Sequence, residues 1–397
     1  MILDTAAPMA LHRFKPESFK GAPGFYRVAQ TVGGSWWLLD PQSRPVFAAA
    51  LMEGDEQEPS ELQAREWGFC ARVRGKERRE EAVSLSIPRV VTLHLSEGGP
   101  VIHSGGARLP DVFDPRWRHH AQERAQRGCA PWLEDPDIIG WRSDDSLDWA
   151  WSEPERRPTL LQLCLSLEPS HAAYHAAWEF VLALHEGSFE RMAAAWQVPL
   201  TNKEMLRSWT QEERGIDSPG YQADHRLWSE QFIRRYCASV GTLLRDLVPA
   251  HLRFGPLSGK GPEPELLANH VTLAFDVRSV RWVPGATPVA ESVDGPVWRE
   301  GFTWATEKLY GPEPGPDDLP DATRVERMLR RGRMEFARLV QDRSTIGWTW
   351  APSDEPLLAK APFSSRLLRS DGTPAYEHTD QLTHLNVRAA ERRDLLG

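Results

Sequence analysis

Cysteine is scarce: Cys70, Cys129, Cys164 and Cys237 are the only four, scattered without metal-ligand spacing. That pattern speaks against a zinc site or a disulfide framework and for small apolar core residues in a reducing compartment. Positive charge is also short. Lys and Arg number 47 against 56 Asp and Glu, a formal net charge of -9, and no basic run exceeds the mixed segment 74–81. Such a chain is a poor partner for nucleic acid or an anionic membrane, and a neutral solute is easier to accommodate. Long hydrophobic runs are missing too. Residues 1–20 carry a short apolar patch without a basic lead-in, and nothing downstream approaches a membrane span, so a cytoplasmic location is expected. No glycine-rich phosphate loop follows any strand-like run, which weakens a dinucleotide-binding reading, and no cofactor is expected.

Tryptophan, by contrast, is abundant at 17 residues. Its rings serve as large core residues and as stacking platforms for sugar faces, and core packing accounts for most of them. At 397 residues the chain fits one large barrel or two ordinary domains. "GFYRVAQTVGGSWWLLD" reads as a β-hairpin turning at Gly33-Gly34. Strand-like runs follow at 45–51, 68–73, 89–95, 137–141, 252–256, 275–282, 287–292 and 345–350, with helical patterns between them. Eight strands alternating with helices predict an α/β fold, a (β/α)8 TIM barrel over residues 21–397, with residues 1–20 as an extension and the hairpin as lead-in. The longest helical region is 170–249, where Trp228, Phe232, Tyr236, Val240, Leu243 and Leu247 recur with a period near 3.6, and the last two barrel helices fall at 325–339 and 376–396. Between Trp282 and Thr287 only "VPGA" remains, too short for a helical crossover, so the sixth helix is expected to be missing and the barrel irregular or open there.

The ordered set "WWLLDPQSRPVF", "PDVFDPRW", "CAPWLEDPDIIGW", "TPVAES", "IGWTWAPSDEPL" and "SDGTPAY" resembles the agarase-like retaining glycoside hydrolases, barrels that carry two catalytic glutamates. The resemblance runs from about Gly21 to the C-terminus and implies an oligosaccharide or polysaccharide partner. In that family strand four ends in a Leu-Ile-Gly-Tyr-Phe-like run followed by Asp-Asn-Glu, the Glu being the acid/base. Here Ile138, Ile139, Gly140 and Trp141 match the run, Asp144 matches the Asp, Asp145 replaces the Asn, and Ser146 stands at the acid/base position. The family nucleophile follows strand seven, which the resemblance places at Glu291, and Trp348 and Trp350 of strand eight match a sugar-flooring pair. Strand six departs from the family's polar ending by carrying Arg281 and Trp282.

Retaining hydrolysis needs two carboxyl groups about 5–5.5 Å apart, one to attack the anomeric carbon and one to protonate the leaving oxygen. A serine hydroxyl cannot do the second task unaided, a loss of about 10²- to 10⁴-fold in rate. Asp145 and Asp148 are the neighbours that would rescue it. Glu291 has a plainer alternative, an ordinary carboxylate paired with Arg281 or Arg278. Trp141, Trp149 and Trp151 flank the altered position, and at least one is expected to line the cleft. His94, at the end of strand three, reads either as a satisfied core histidine or as a substrate contact. His119 and His120 read as solvent facing. Arg72 and Arg74 either point into the cleft or pair with Asp144 or Asp145. Three readings stay open: an impaired saccharide-binding barrel, an active glycosidase using Glu291 with Asp145 or Asp148, and a structural or regulatory protein with a filled cleft. The oligomeric state is not legible.

Overall fold

The structure is a computed structural model, and it describes residues 13–53, 59–74, 87–104, 107–145, 147–152, 158–257, 264–283, 293–303, 321–350, 367–369 and 371–396. A three-stranded antiparallel sheet comes first: β1 (Arg27–Gln30), β2 (Trp36–Leu39) and β3 (Pro45–Val46). Its β1–β2 turn needs Gly34 at φ +91°, a conformation natural to glycine. Then come β4 (Ala48–Glu53), helix α1 (Glu61–Glu66), β5 (Ala71–Arg74), β6 (Arg89–Thr92), the hairpin of β7 (Val101–Ser104) and β8 (Ala107–Pro110), α2 (Pro115–Cys129) and β9 (Ile138–Arg142). Five helices intervene before the next strand: α3 (Leu160–Ser166), α4 (Ala172–Leu184), α5 (Phe189–Ala195), α6 (Lys203–Gln211) and α7 (Pro219–Leu247). The chain continues through β10 (Leu252–Phe254), α8 (Glu265–Ala274), β11 (Arg278–Arg281), β12 (Val297–Phe302), a helix at Asp321–Gln341, β13 (Thr345–Trp350) and a helix at Tyr376–Leu396.

Eight of these strands pair in parallel in the order β10-β9-β6-β5-β4-β13-β12-β11. The two ends meet through a parallel bridge of Phe254 with Val277, where the Gly255 amide donates to the Val277 carbonyl at 2.9 Å. The result is a (β/α)8 barrel with the antiparallel sheet beneath it, since the Trp36 amide donates to the carbonyl of Arg343, just before β13 begins. Phe14, within the expected extension, is buried and bridges to Thr31 of that sheet.

The seventh strand is β12, a run left unassigned by the sequence reading; the segment 287–292, read as strand seven, lies outside the described residues. The connection after β11 therefore runs from Trp282 to Pro296, and the shortness that implied an open side disappears. Irregularity survives as register shifts at Arg89/Val90, Val297/Trp298 and Arg299/Phe302.

Small residues of β4 and β5 (Ala48, Ala50, Ala71) leave the lumen to Val73, Val90, Phe254 and Trp298. Gly140 exists because a Cβ there would sit 2.5 Å from the Leu252 carbonyl oxygen and 2.4 Å from the Phe254 ring. Outside the barrel, α7 starts on Ser218, whose hydroxyl accepts from the Tyr221 amide, with Pro219 at the first helical position. Its stripe Trp228, Phe232, Tyr236 and Val240 is buried and passes on to Leu244, leaving Leu243 and Leu247 half-buried. Of the tryptophans whose exposure is described, only Trp132 and Trp282 are not buried. Core packing thus absorbs the tryptophan excess. Cys129, Cys164 and Cys237 are buried as expected, but Cys70 is exposed. Among the described residues no helix is long and apolar enough to cross a membrane.

Candidate functional site

Parallel strands present all their C-terminal ends at one mouth, where sites of this fold gather. Four strand ends build a charged cluster there. Register places Arg142 of β9 level with Thr92 and Phe254, facing inward, and Arg281 of β11 level with Glu300 of β12. Arg142 Nη2 donates to Glu300 Oε1 across the lumen, and both side chains are 1% exposed. Burial lowers the Arg142 guanidinium to about 10, with Asp145 opposing and Arg281 reinforcing the shift, so it stays charged at neutral pH. Glu300 Oε2 is buried and has no hydrogen-bond partner among the described residues. The register shift between Arg299 and Phe302, with Gly301 at φ +77°, is the kind of bulge that aims a side chain beside a site.

Strand β9 then turns outward through Asp144 and Asp145. Asp144 is buried and accepts from the Ser96 amide (2.8 Å), the Ser96 hydroxyl (3.2 Å) and the Tyr236 hydroxyl (2.7 Å), tying the ends of β6 and β9 to α7. Burial pushes its carboxyl from 3.8 up to about 6, against the pull of those hydrogen bonds. A folded-state value above the unfolded one means that stability is fully present below about pH 4 and is lost as pH rises through about 6, by on the order of 3 kcal/mol. Asp144→Asn is therefore expected to flatten the stability profile between pH 4 and 7, read by urea unfolding at each pH; a profile as steep as that of the unaltered protein would assign the slope elsewhere.

Asp145 lies beside His94, with Nδ1 to Oδ1 at 3.4 Å and side chains 12% (His94) and 31% (Asp145) exposed. Burial favours the neutral acid, but His94, Arg142 and Arg281 together outweigh it and hold the Asp145 carboxyl below its usual range. His94 adopts φ +50°, an uncommon backbone conformation for a non-glycine residue.

The other expected site residues are distributed differently. Ser146 and Glu291 lie outside the described residues. Asp148 is half-buried, its amide donating to the Arg108 carbonyl of β8 at 3.2 Å. Trp141 packs edge-on against His251 (5.9 Å between centroids) and Trp149 against Tyr236 (5.0 Å); both are fully buried outside the lumen, so neither lines a cleft. The Trp151 side chain lies outside the described residues. Trp282 is half-buried; its amide donates to the Glu300 carbonyl at 2.7 Å, so it fixes the backbone of the strand that carries Glu300. Arg72 sits level with Leu51 on the outer face, donating to the Pro59 carbonyl at 3.0 Å.

Trp348 and Trp350 do share one face, as expected of residues two apart, but it is the outer one. Register sets them level with Ala49 and Leu51, and they pack with Phe302, Phe336 and Leu339 in the wall between barrel and helices. They cannot floor a subsite from there. Trp348→Ala is expected to cost about 3–5 kcal/mol of stability while leaving saccharide affinity unchanged. An intact unfolding curve with affinity lost would return it to the cleft.

Arg142 and Glu300 were not picked out from sequence. The signal for Arg142 was the inward alternation Gly140, Arg142; for Glu300 it was an unassigned six-residue run, "VWREGF", opening after Gly295-Pro296. Among the described residues no group of His, Cys, Asp and Glu is placed to hold a metal ion.

No family model matches the chain. No curated protein matches it either. Solved structures do resemble it in fold. An exo-β-agarase superposes with a TM-score of 0.69 at 16% identity, covering 94% of this chain and 66% of its own. The agarase AgWH50C gives 0.67 at 16% identity, covering 98% and 68%. A β-galactosidase from the psychrophilic Marinomonas ef1 gives 0.52 at 13% identity, covering 86% and 59%. The chain thus spans about two thirds of the length of these two agarases. What it shares with all three at such identities is the barrel fold.

Proposed function

We propose that the protein is a carbohydrate-active, glycoside-hydrolase-like barrel that takes a saccharide at its charged mouth and is impaired in two-carboxylate retaining hydrolysis. The observation that carries this reading is Glu300: a carboxylate on the seventh strand, one oxygen clamped by Arg142 and the other buried without a hydrogen-bond partner among the described residues. A guanidinium beside a carboxylate favours the ionised form, the form a nucleophile needs. Glu291, proposed for that role from the resemblance, precedes the strand that begins at Val297, whereas Glu300 is on it.

The impairment has two sources. Ser146 stands where the resemblance puts the acid, and Arg142 holds the Glu300 oxygen that would otherwise share the attack. Asp148 is tied through its amide to the β7–β8 hairpin, and Asp145 is held ionised, which makes it a poor proton donor at neutral pH. The names of the fold neighbours, agarase and β-galactosidase, make neutral galactan oligosaccharides the first ligands to test. Calorimetric titration with agaro-oligosaccharides is expected to give saturable binding that is alike at low and high salt, because a neutral ligand leaves little charge to screen. Absence of saturable binding across oligosaccharides would reject the reading and favour a structural barrel with a filled mouth.

A further inference from the structure

Resting on that reading, we infer that a cleft beside the mouth, at the first turns of α2 and α4, holds the far sugar units of a saccharide chain whose near end lies at the charged cluster. The cleft has a volume of about 870 Å³ and is walled by the segment 98–101, by the first turns of α2, and by Ser170 and His171 ahead of α4. Volumes of about 300–1,000 Å³ are those of small-molecule sites. The first two walls directly follow β6, so the cleft lies at the mouth end of the barrel. Its edge at Gly98 is two residues past Ser96, which holds Asp144 at the mouth, a span of at most about 7 Å of chain.

Two aspartates fix the shape of the cleft. Asp114 caps α2, accepting from the Arg116 amide at 2.8 Å and from the Arg116 guanidinium at 2.6 Å. Asp111, which is buried, reaches across to accept the Ala173 amide at 3.1 Å in the first turn of α4, whose own N-cap, His171, supplies no side-chain bond. The imidazoles that line the cleft are each only half committed. His119 Nε2 pairs with Glu123 at 3.2 Å, His120 Nε2 with the Glu97 carbonyl at 2.7 Å, and His171 Nδ1 with the Glu168 carbonyl at 3.3 Å. The second nitrogen of each ring, and the Ser170 hydroxyl, have no hydrogen-bond partner among the described residues. The His120 ring lies against Gly99, where a Cβ would stand 3.0 Å from it.

The lining chemistry selects the occupant. The carboxylates of Asp111, Asp114 and Glu123 outnumber the one guanidinium, Arg116, and oppose an anionic ligand. Among the described residues no group is placed to hold a metal ion. The walls carry no Phe or Tyr and no Trp, and the apolar side chains of Pro100, Val101 and Pro115 give a hydrophobic ligand little to bury. A neutral polyol fits, because each hydroxyl can donate to a carboxylate or an imidazole nitrogen and accept from a guanidinium, an imidazole or a serine. Next to a saccharide-binding mouth, that polyol is the continuation of the same chain.

The test is calorimetric titration with agarobiose, agarotetraose and agarohexaose. The hexasaccharide is expected to bind about tenfold or more tighter than the disaccharide, a factor that one or two net hydrogen bonds supply. His119→Ala removes a hydrogen-bonding ring, and Ser170→Leu fills the cleft without adding an aromatic ring or a charge. Each is expected to bring the hexasaccharide to within about threefold of the disaccharide, with disaccharide affinity and circular dichroism unchanged. A wild-type protein that binds all three lengths alike would overturn the inference and leave the carbohydrate reading standing. So would a gain with length that survives in both variants, or variants that lose the disaccharide in equal measure. No binding at any length would reject the carbohydrate reading and this inference with it.

Discussion

Ser146→Glu is expected to raise turnover of an unactivated galactoside by about 10²-fold or more, because it restores a carboxyl where the resemblance to retaining glycoside hydrolases places the acid/base. The gain should be confined to substrates with poor leaving groups. A dinitrophenyl galactoside, which needs no proton, should respond little. Steady-state rates on the two substrates decide the matter: a variant as slow as the unaltered protein on both would show that the missing acid is not what limits this barrel.

The second large effect is on stability. Arg142→Met is expected to lower the unfolding free energy by about 3–5 kcal/mol, a large part of the 5–15 kcal/mol that holds a typical protein together. The loss arises from what is left behind. Glu300 is 1% exposed and would be left in the lumen without its cationic partner, either as an uncompensated charge or having to take up a proton. Replacing both residues, as Arg142→Met with Glu300→Gln, should recover much of that loss, since paired desolvation costs more than the pair returns. Urea midpoints of the two single variants and the double variant give the coupling directly. A double variant as unstable as Arg142→Met alone would mean that the methionine, not the stranded charge, disrupts the lumen.

Seven of the eight barrel strands were legible in the sequence because each falls in a short run of continuous or recurring apolar residues, and the hairpin was legible through Gly33-Gly34. Strand seven was not. "VWREGF" carries Arg299 and Glu300 in its middle, and a strand whose charges are neutralised by distant partners, Asp342 and Arg142, looks polar until the fold supplies them. The same blindness touched the site. That Trp348 and Trp350 share a face follows from the two-residue repeat, but which face is the lumen depends on register with β4, and a one-residue difference exchanges wall for floor. Trp141 and Trp149 drew attention as aromatic rings near an acid cluster, whereas the five helices between β9 and β10 bring a core that claims both. His94 and Asp145 were each visible as candidates; their pairing joins positions 94 and 145, and no local pattern announces such a contact.

On the proposed function, the seventh-strand carboxylate survives as a nucleophile after its acid partner has gone. That survival is tested most directly by incubating the protein with 2,4-dinitrophenyl 2-deoxy-2-fluoro-β-galactoside, followed by intact mass and peptide mapping. The expected result is a slowly accumulating covalent galactosyl adduct on Glu300. An adduct on Glu291, or no adduct while the same galactoside demonstrably binds, would contradict it.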